Sequence, residues 1–206
     1  LEDGGCYVSW FDNQGGGYDV YIQRLDAQGN TMWQPNGIMI ADRNYSSVMD
    51  FDLDLDPAGN AIVVFRQNMI GGDGVVVSSI SLDGKIQWNS IVQNPGSFVA
   101  SPVITATNMH IVVGWICDED SKFQQLDWDG MQSWQEPLVI TDSNGGSLQV
   151  ADIHPSLDGG VIASFVQYTT FWGTKLLYAQ RIDTQGNTVW PELTQVMLNN
   201  SLQIGA

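Results

Sequence analysis

Four aspartates alternate with apolar residues along Asp50-Phe51-Asp52-Leu53-Asp54-Leu55-Asp56. In an extended strand this alternation puts all four carboxylates on one face, roughly 7 Å apart in succession. Such a row repels itself unless water lines it or a cation neutralises it. A hard cation such as Ca2+, with about six to eight oxygen ligands, is the candidate. The run is not an EF-hand loop, because neither its glycine nor its closing glutamate falls where that loop needs them. The alternative is a wet central channel or an exposed strand face. A second cluster, Asp118-Glu119-Asp120, is either a further set of oxygen ligands or a solvated loop. Aromatic candidates are Phe171 and Trp172, in Tyr168-Thr169-Thr170-Phe171-Trp172-Gly173, together with Trp128. An exposed aromatic loop stacks on a sugar ring or anchors a protein partner; local loop packing is its ordinary use. Of the two histidines, His110 and His154, the second offers with Asp54 and Asp152 a channel site for a polysaccharide-active enzyme. Catalysis otherwise has thin support. There is no zinc-ligand spacing, nucleophile elbow or phosphate-binding glycine loop.

Composition narrows the field. The 206 residues carry 7 basic and 23 acidic side chains, a net charge of −16. Nucleic acid requires a basic surface to displace counterions, and an anionic membrane surface would repel this chain. No window approaches the ~18 apolar residues that cross a bilayer, so membrane insertion is not expected. The two cysteines, Cys6 and Cys117, sit at non-equivalent places in the pattern described next, so free thiols are expected rather than a disulfide. The chain begins at Leu1 with no signal-peptide pattern, which reads as a mature form, an excised domain or a fragment of a longer protein.

The elements that position these residues follow from internal repetition. An acidic turn with glycine followed by tryptophan recurs, ending at Trp33, Trp88, Trp134 and Trp190, at spacings of 55, 46 and 56 residues. A run of β-formers ending in an aromatic precedes each turn, at Trp10, Phe65, Trp115 and Phe165, at spacings of 55, 50 and 50 residues. Two markers in constant order make four repeats. Each reads as four short strands: an alternating one (as Val48 to Asp56), the buried run, a third ending at the turn, and a fourth beginning at the tryptophan. Period-two alternation and Gly/Asn/Asp turns support strands, and no convincing helical period occurs. The expected fold is all-β, a β-propeller of four-stranded antiparallel blades. Blade boundaries fall at 1–43, 44–96, 97–144 and 145–200. Blade 1 lacks its first strand, and Ser201-Leu202-Gln203-Ile204 matches Ser147-Leu148-Gln149-Val150. Residues 201–206 therefore either close a four-bladed ring, or the chain is a slice of a larger propeller. Trp10, Trp33, Trp88, Trp115, Trp134 and Trp190 fall on repeat positions and read as core.

The segments Tyr21-Ile22-Gln23-Arg24-Leu25-Asp26-Ala27-Gln28-Gly29-Asn30 and Tyr178-Ala179-Gln180-Arg181-Ile182-Asp183-Thr184-Gln185-Gly186-Asn187, each followed by a tryptophan, resemble a known repeat. It has the form YAQRLDxxGNxxW and occurs in large secreted and cell-surface proteins of Bacteroidetes-type bacteria, often exported by the type IX secretion system. The resemblance covers essentially the whole chain. It is loose in repeats two and three, where Ser79-Ile80-Ser81 and Phe123-Gln124-Gln125 replace the Tyr-x-Gln-Arg segment. It implies a propeller at an extracellular or cell-surface location, and it carries no catalytic residues. The functional expectation is a non-catalytic binding or scaffolding module of a larger secreted protein. A carbohydrate- or protein-binding domain and a polysaccharide-active enzyme are the alternatives.

Overall fold

The computed structural model describes residues 1–13, 17–42, 50–143, 146–168 and 175–197. These residues form fifteen strands and no helix. β1 (Cys6–Asp12), β2 (Asp19–Leu25) and β3 (Ile38–Ala41) make the sheet of blade 1. β4 (Phe51–Leu55), β5 (Ala61–Met69), β6 (Gly72–Ile80) and β7 (Ile86–Gln93) make blade 2. β8 (Val99–Ala106), β9 (Ile111–Cys117), β10 (Asp120–Leu126) and β11 (Leu138–Ile140) make blade 3. β12 (Ser147–Pro155), β13 (Val161–Tyr168), β14 (Lys175–Ile182) and β15 (Thr194–Met197) make blade 4. Neighbouring strands are antiparallel throughout and follow chain order, so each blade is a meander. The fold is a β-propeller, as its repeats indicate. The strand expected from 201–206, and with it closure of the ring, lies outside the described residues.

Alternation along the second strands builds the core. Side chains on a strand point to opposite faces in turn. In β5, Ala61, Val63 and Phe65 join the cluster against blade 1, while Ile62 and Val64 join the cluster against blade 3. In β9, Ile111, Val113 and Trp115 face blade 2, and Val112 and Ile116 face blade 4. Both faces of a middle blade are therefore apolar, which is why these strands read as continuous Val/Ile runs instead of clean alternation. Each such side chain withdrawn from water contributes roughly 1.5–3 kcal/mol.

The repeated tryptophans latch one blade to the next. The indole N–H of Trp33 donates to the carbonyl of Leu82 at 3.0 Å. Trp88 donates to Trp128 at 2.9 Å, and Trp134 to Thr184 at 3.1 Å. Each acceptor lies two residues before a turn glycine, and the indole lies against that glycine. A Cβ would stand 3.2 Å from the Trp33 ring at Gly84, 2.5 Å from Trp88 at Gly130 and 2.9 Å from Trp134 at Gly186.

The fourth strand differs from its expected start. In blades 1, 3 and 4 it begins several residues beyond the tryptophan; only in blade 2 does the strand contain it. A buried glutamine of the third strand holds the intervening segment. Gln23 accepts from the N–H of Trp33 at 3.1 Å and donates to the carbonyl of Gln34 at 3.0 Å. Gln180 likewise accepts from the N–H of Trp190 at 3.1 Å and donates to its carbonyl at 3.1 Å. An amide side chain has replaced one strand pairing, so the backbone there need not stay extended.

Gly130→Ala adds strain at φ +80° and drives a methyl into the Trp88 indole. The expected loss exceeds about 1 kcal/mol, and about 2–4 °C in Tm for each kcal/mol at this size. Trp88→Phe removes the donor and strands the Trp128 carbonyl, at about 1 kcal/mol. Thermal unfolding followed by circular dichroism checks both; an unchanged Tm for Gly130→Ala would contradict the latch.

Candidate functional site

The innermost strands β4, β8 and β12 carry the polar side chains that the sequence singles out. The aspartate run sits on β4 and beside it, and its carboxylates reach sideways to β8 of the next blade. Asp50 accepts from the N–H of Ser101 at 3.0 Å, Asp52 from Ile104 at 2.9 Å and Asp54 from Ala106 at 2.7 Å. Thr105 adds its hydroxyl to Asp54 at 3.4 Å. Asp50 is fully buried and forms an ion pair with Arg66 at 2.8 Å. The same guanidinium donates to the carbonyl of Val99 at 3.1 Å. The neutralisation for which Ca2+ was a candidate is thus supplied by peptide N–H groups and one arginine. Asp56 is not part of the row. It accepts from the N–H groups of Ala58 and Asn60 and closes its own turn.

In the second acidic cluster, one carboxylate and one backbone carbonyl have structural partners. Asp118 and Glu119 form a tight hairpin between the paired residues Cys117 and Asp120, with Asp118 at φ 57°. The Asp118 carboxylate accepts from the N–H of Phe98 at 3.0 Å, and the Glu119 carbonyl accepts from Leu148 at 3.0 Å. Among the described residues, no three His, Cys, Asp or Glu side chains converge to hold a metal ion. Trp128 is half-buried against the core between blades 2 and 3, and its backbone carbonyl seats the Trp88 latch. Phe171 and Trp172 lie outside the described residues. Cys6 and Cys117 are free thiols. His110 is buried, and burial pushes its pKa down.

One group of polar residues does come together at the axis. By strand register, Asp52, Val103 and Asp152 occupy one level of the three inner strands, since they pair with Val64, Gly114 and Ser164. Asp54, Thr105 and His154 occupy the next level, pairing with Ile62, Val112 and Ile162. Asp152 follows a bulge after Val150, a device that re-aims a side chain. It forms an ion pair with His154 at 3.2 Å when the imidazole is protonated, and the two side chains are 53% and 73% exposed. Burial raises the pKa of Asp52, the N–H groups of Ile104 and Leu53 oppose that, and the charges of Asp152 and Asp54 reinforce it. The level therefore sets a buried carboxyl, whose pKa burial raises, beside an accessible carboxylate and imidazole. Carboxylate oxygens accept from a hydroxyl, and an imidazole N–H donates to one. Arg66 and Thr105 were missed in the sequence; a lone arginine inside the apolar run 61–69 was the available signal.

No protein-family model matches the chain, and no curated protein does. Solved structures do resemble it. An endo-arabinase from Bacteroides thetaiotaomicron superposes with a TM-score of 0.56 at 14% identity, over 93% of this chain and 77% of that one. A protein from Lactobacillus plantarum superposes with a TM-score of 0.52 at 15% identity, over 94% of this chain and 55% of that one. This chain thus spans about half the length of the second structure. At such identities the likeness speaks for the propeller fold.

Asp50→Ala leaves the buried Arg66 guanidinium with only the more distant Asp73, at 3.6 Å, as counter-ion, and the expected cost is about 3 kcal/mol by urea denaturation. Asp52 acts through pH. Its raised pKa means that the folded chain holds this proton when the unfolded chain, near the model-peptide 3.8, has released it. Its contribution is whole below that value and declines as pH rises through the raised one. The stability of the parent protein minus that of Asp52→Asn therefore falls as pH rises from acid to neutral. A difference that rises over that range would sink the assignment.

Proposed function

We propose that this chain is a carbohydrate-binding propeller module of a larger protein at the surface of, or secreted by, a Bacteroidetes-type bacterium. The observation that carries the reading is the axial set Asp52, Asp54, Asp152 and His154. It joins a largely buried carboxyl to an exposed Asp152–His154 pair, and the carboxylates with the imidazole make a donor-and-acceptor set suited to a ligand rich in hydroxyl groups. The resemblance to secreted Bacteroidetes repeats supports the location. The likeness to an endo-arabinase makes arabinan the first ligand to try, without assigning that enzyme's activity to this chain. The Phe171–Trp172 segment belongs to the same reading as an added stacking contact.

A scaffolding role is the second reading. It is favoured by how many polar groups are committed to joints between blades: the Asp50, Asp52 and Asp54 carboxylates and three indole N–H groups.

Affinity electrophoresis through gels containing arabinan or other neutral polysaccharides separates the two. The expected result is retardation by at least one polysaccharide, weakened roughly tenfold or more by the double change Asp152→Asn and His154→Ala, with no release of reducing sugar. Retardation that survives this change but is lost in Trp172→Ala would move the site to the loop. No retardation in any gel would leave the scaffold reading.

A further inference from the structure

Each blade offers two halves of a joint. One half faces the next blade: the tryptophan indole and alternate residues of the second strand, even-numbered in blades 2 to 4 and odd-numbered (Tyr7, Phe11) in blade 1. The other half faces the preceding blade: the turn glycine with the carbonyl two residues before it, and the remaining residues of that strand. Within the described chain the two halves meet three times, and at both ends of the stack they stand bare. On blade 1, the glycine that corresponds to Gly84, Gly130 and Gly186 is Gly29, and no described residue comes within 4 Å of where its Cβ would be. Ala27 corresponds to Leu82, Trp128 and Thr184, whose carbonyls accept from an indole, and no indole among the described residues donates to it. On the same face Val8 is 43% exposed, whereas its counterparts Val63, Val113 and Ala163 are each 0% exposed. Cys6 is exposed where Ala61, Ile111 and Val161 are buried.

Blade 4 shows the complementary deficit. Among the described residues the Trp190 indole N–H makes no bond of the kind made by Trp33, Trp88 and Trp134, and the ring borders an open hollow of about 580 Å³ together with Leu193 and Thr194. Ile162 is 38% exposed, against 0% for Ile62 and 2% for Val112 at the same register. Both bare faces belong to one chain and match each other in chemistry, yet among the described residues they do not meet. An unfilled wedge between them accounts for all of these observations together.

We propose that a further blade of this same repeat, carried on the same polypeptide, fills the opening between blade 4 and blade 1. Its turn glycine and carbonyl seat Trp190, its own tryptophan seats on Gly29, and its two apolar faces cover Ile162 on one side and Cys6 and Val8 on the other. The proposal rests on the reading of a larger protein but not on sugar recognition, so the two fail separately.

The test compares the 206-residue chain with two extended forms. One carries a copy of residues 97–144 after Ala206, the other a copy of residues 145–200. In the parent chain, Trp190→Phe leaves Tm unchanged while Trp88→Phe lowers it by about 2–4 °C. The Cys6 thiol reacts with a maleimide while the buried Cys117 does not. In at least one extended form, Trp190→Phe lowers Tm as Trp88→Phe does. In that form the Trp190 indole N–H and the Cys6 thiol become protected roughly tenfold or more. The proposal is overturned if Trp190→Phe is already as costly as Trp88→Phe in the parent chain, because blade 4 then docks directly on blade 1. It is equally overturned if neither extension protects Trp190 and Cys6.

Discussion

The inner edge of β8 presents peptide N–H groups that no further strand receives. A meander blade always ends in such an edge at the axis, and unpaired strand edges invite association or cost the free energy of unmet hydrogen bonds. Here side chains of the neighbouring blade meet it. Asp50, Asp52 and Asp54 take three of these N–H groups in succession, and Arg66 holds the first carboxylate in place from within the core. Charge-assisted bonds of this kind are about twice as strong as neutral ones. They act together with the apolar packing of Ile62 and Val64 that brings blade 3 to the right distance. The carboxylate row is therefore a strand substitute, and the aspartates are spaced by two because the register they imitate is that of a strand.

The repeat pattern was legible because it is local. Alternation, turn residues and a period of about 50 are properties of short segments, and they led to strands, blades and a propeller. The partners of the aspartates were not legible, since the N–H groups they bind lie 51 or 52 positions further along the chain. A peptide N–H is present at every residue except proline, so no residue type marks it. Cation binding was the inference available to a reader who sees only the acid. The same blindness hid the meaning of the Gln-Arg pair in the resembling segments. Gln23 and Gln180 hold the irregular stretch at the tryptophan. Arg24 pairs with Asp3 at 2.5 Å and Arg181 with Asp158, each aspartate lying in the Asp-Gly-Gly turn that leads into the second strand. Each turn and its arginine are some 20 residues apart in the sequence, and nothing local marks them as one contact. Turn chemistry fared better. Asp26 accepts from Gln28 and Asn30, and the side-chain amide and N–H of Asn30 hold its carboxyl below the ordinary value.

Repetition also tells where function cannot reside. A position filled alike in every blade serves the joints, because the joints are alike. Specific recognition needs groups that differ around the axis, since a ligand presents different atoms to each blade. The inner strands supply that difference at two adjacent levels. Asp52, Val103 and Asp152 share one, and Asp54, Thr105 and His154 share the other. On blade 2 both acids are tied to the next blade. On blade 3 the level is apolar above and a hydroxyl below. On blade 4 a bulge turns Asp152 toward His154, and both remain accessible. Three blades with one architecture thus present three chemistries at the axis.

The charge of −16 divides along the same line. Asp26, Asp56 and Asp183 close turns, Asp3 and Asp158 pair with arginines, and Asp50 is buried against Arg66. These carboxylates are compensated where they stand, so their number says little about partners. Asp52 and Asp152 differ because they act on each other across the axis: the charge of Asp152 is one of the causes that raise the pKa of Asp52. A carboxyl that resists ionisation beside one that is accessible is a local property that total charge conceals. It arises only because the fold brings blades 2 and 4, about 100 residues apart in the chain, to the same axial level.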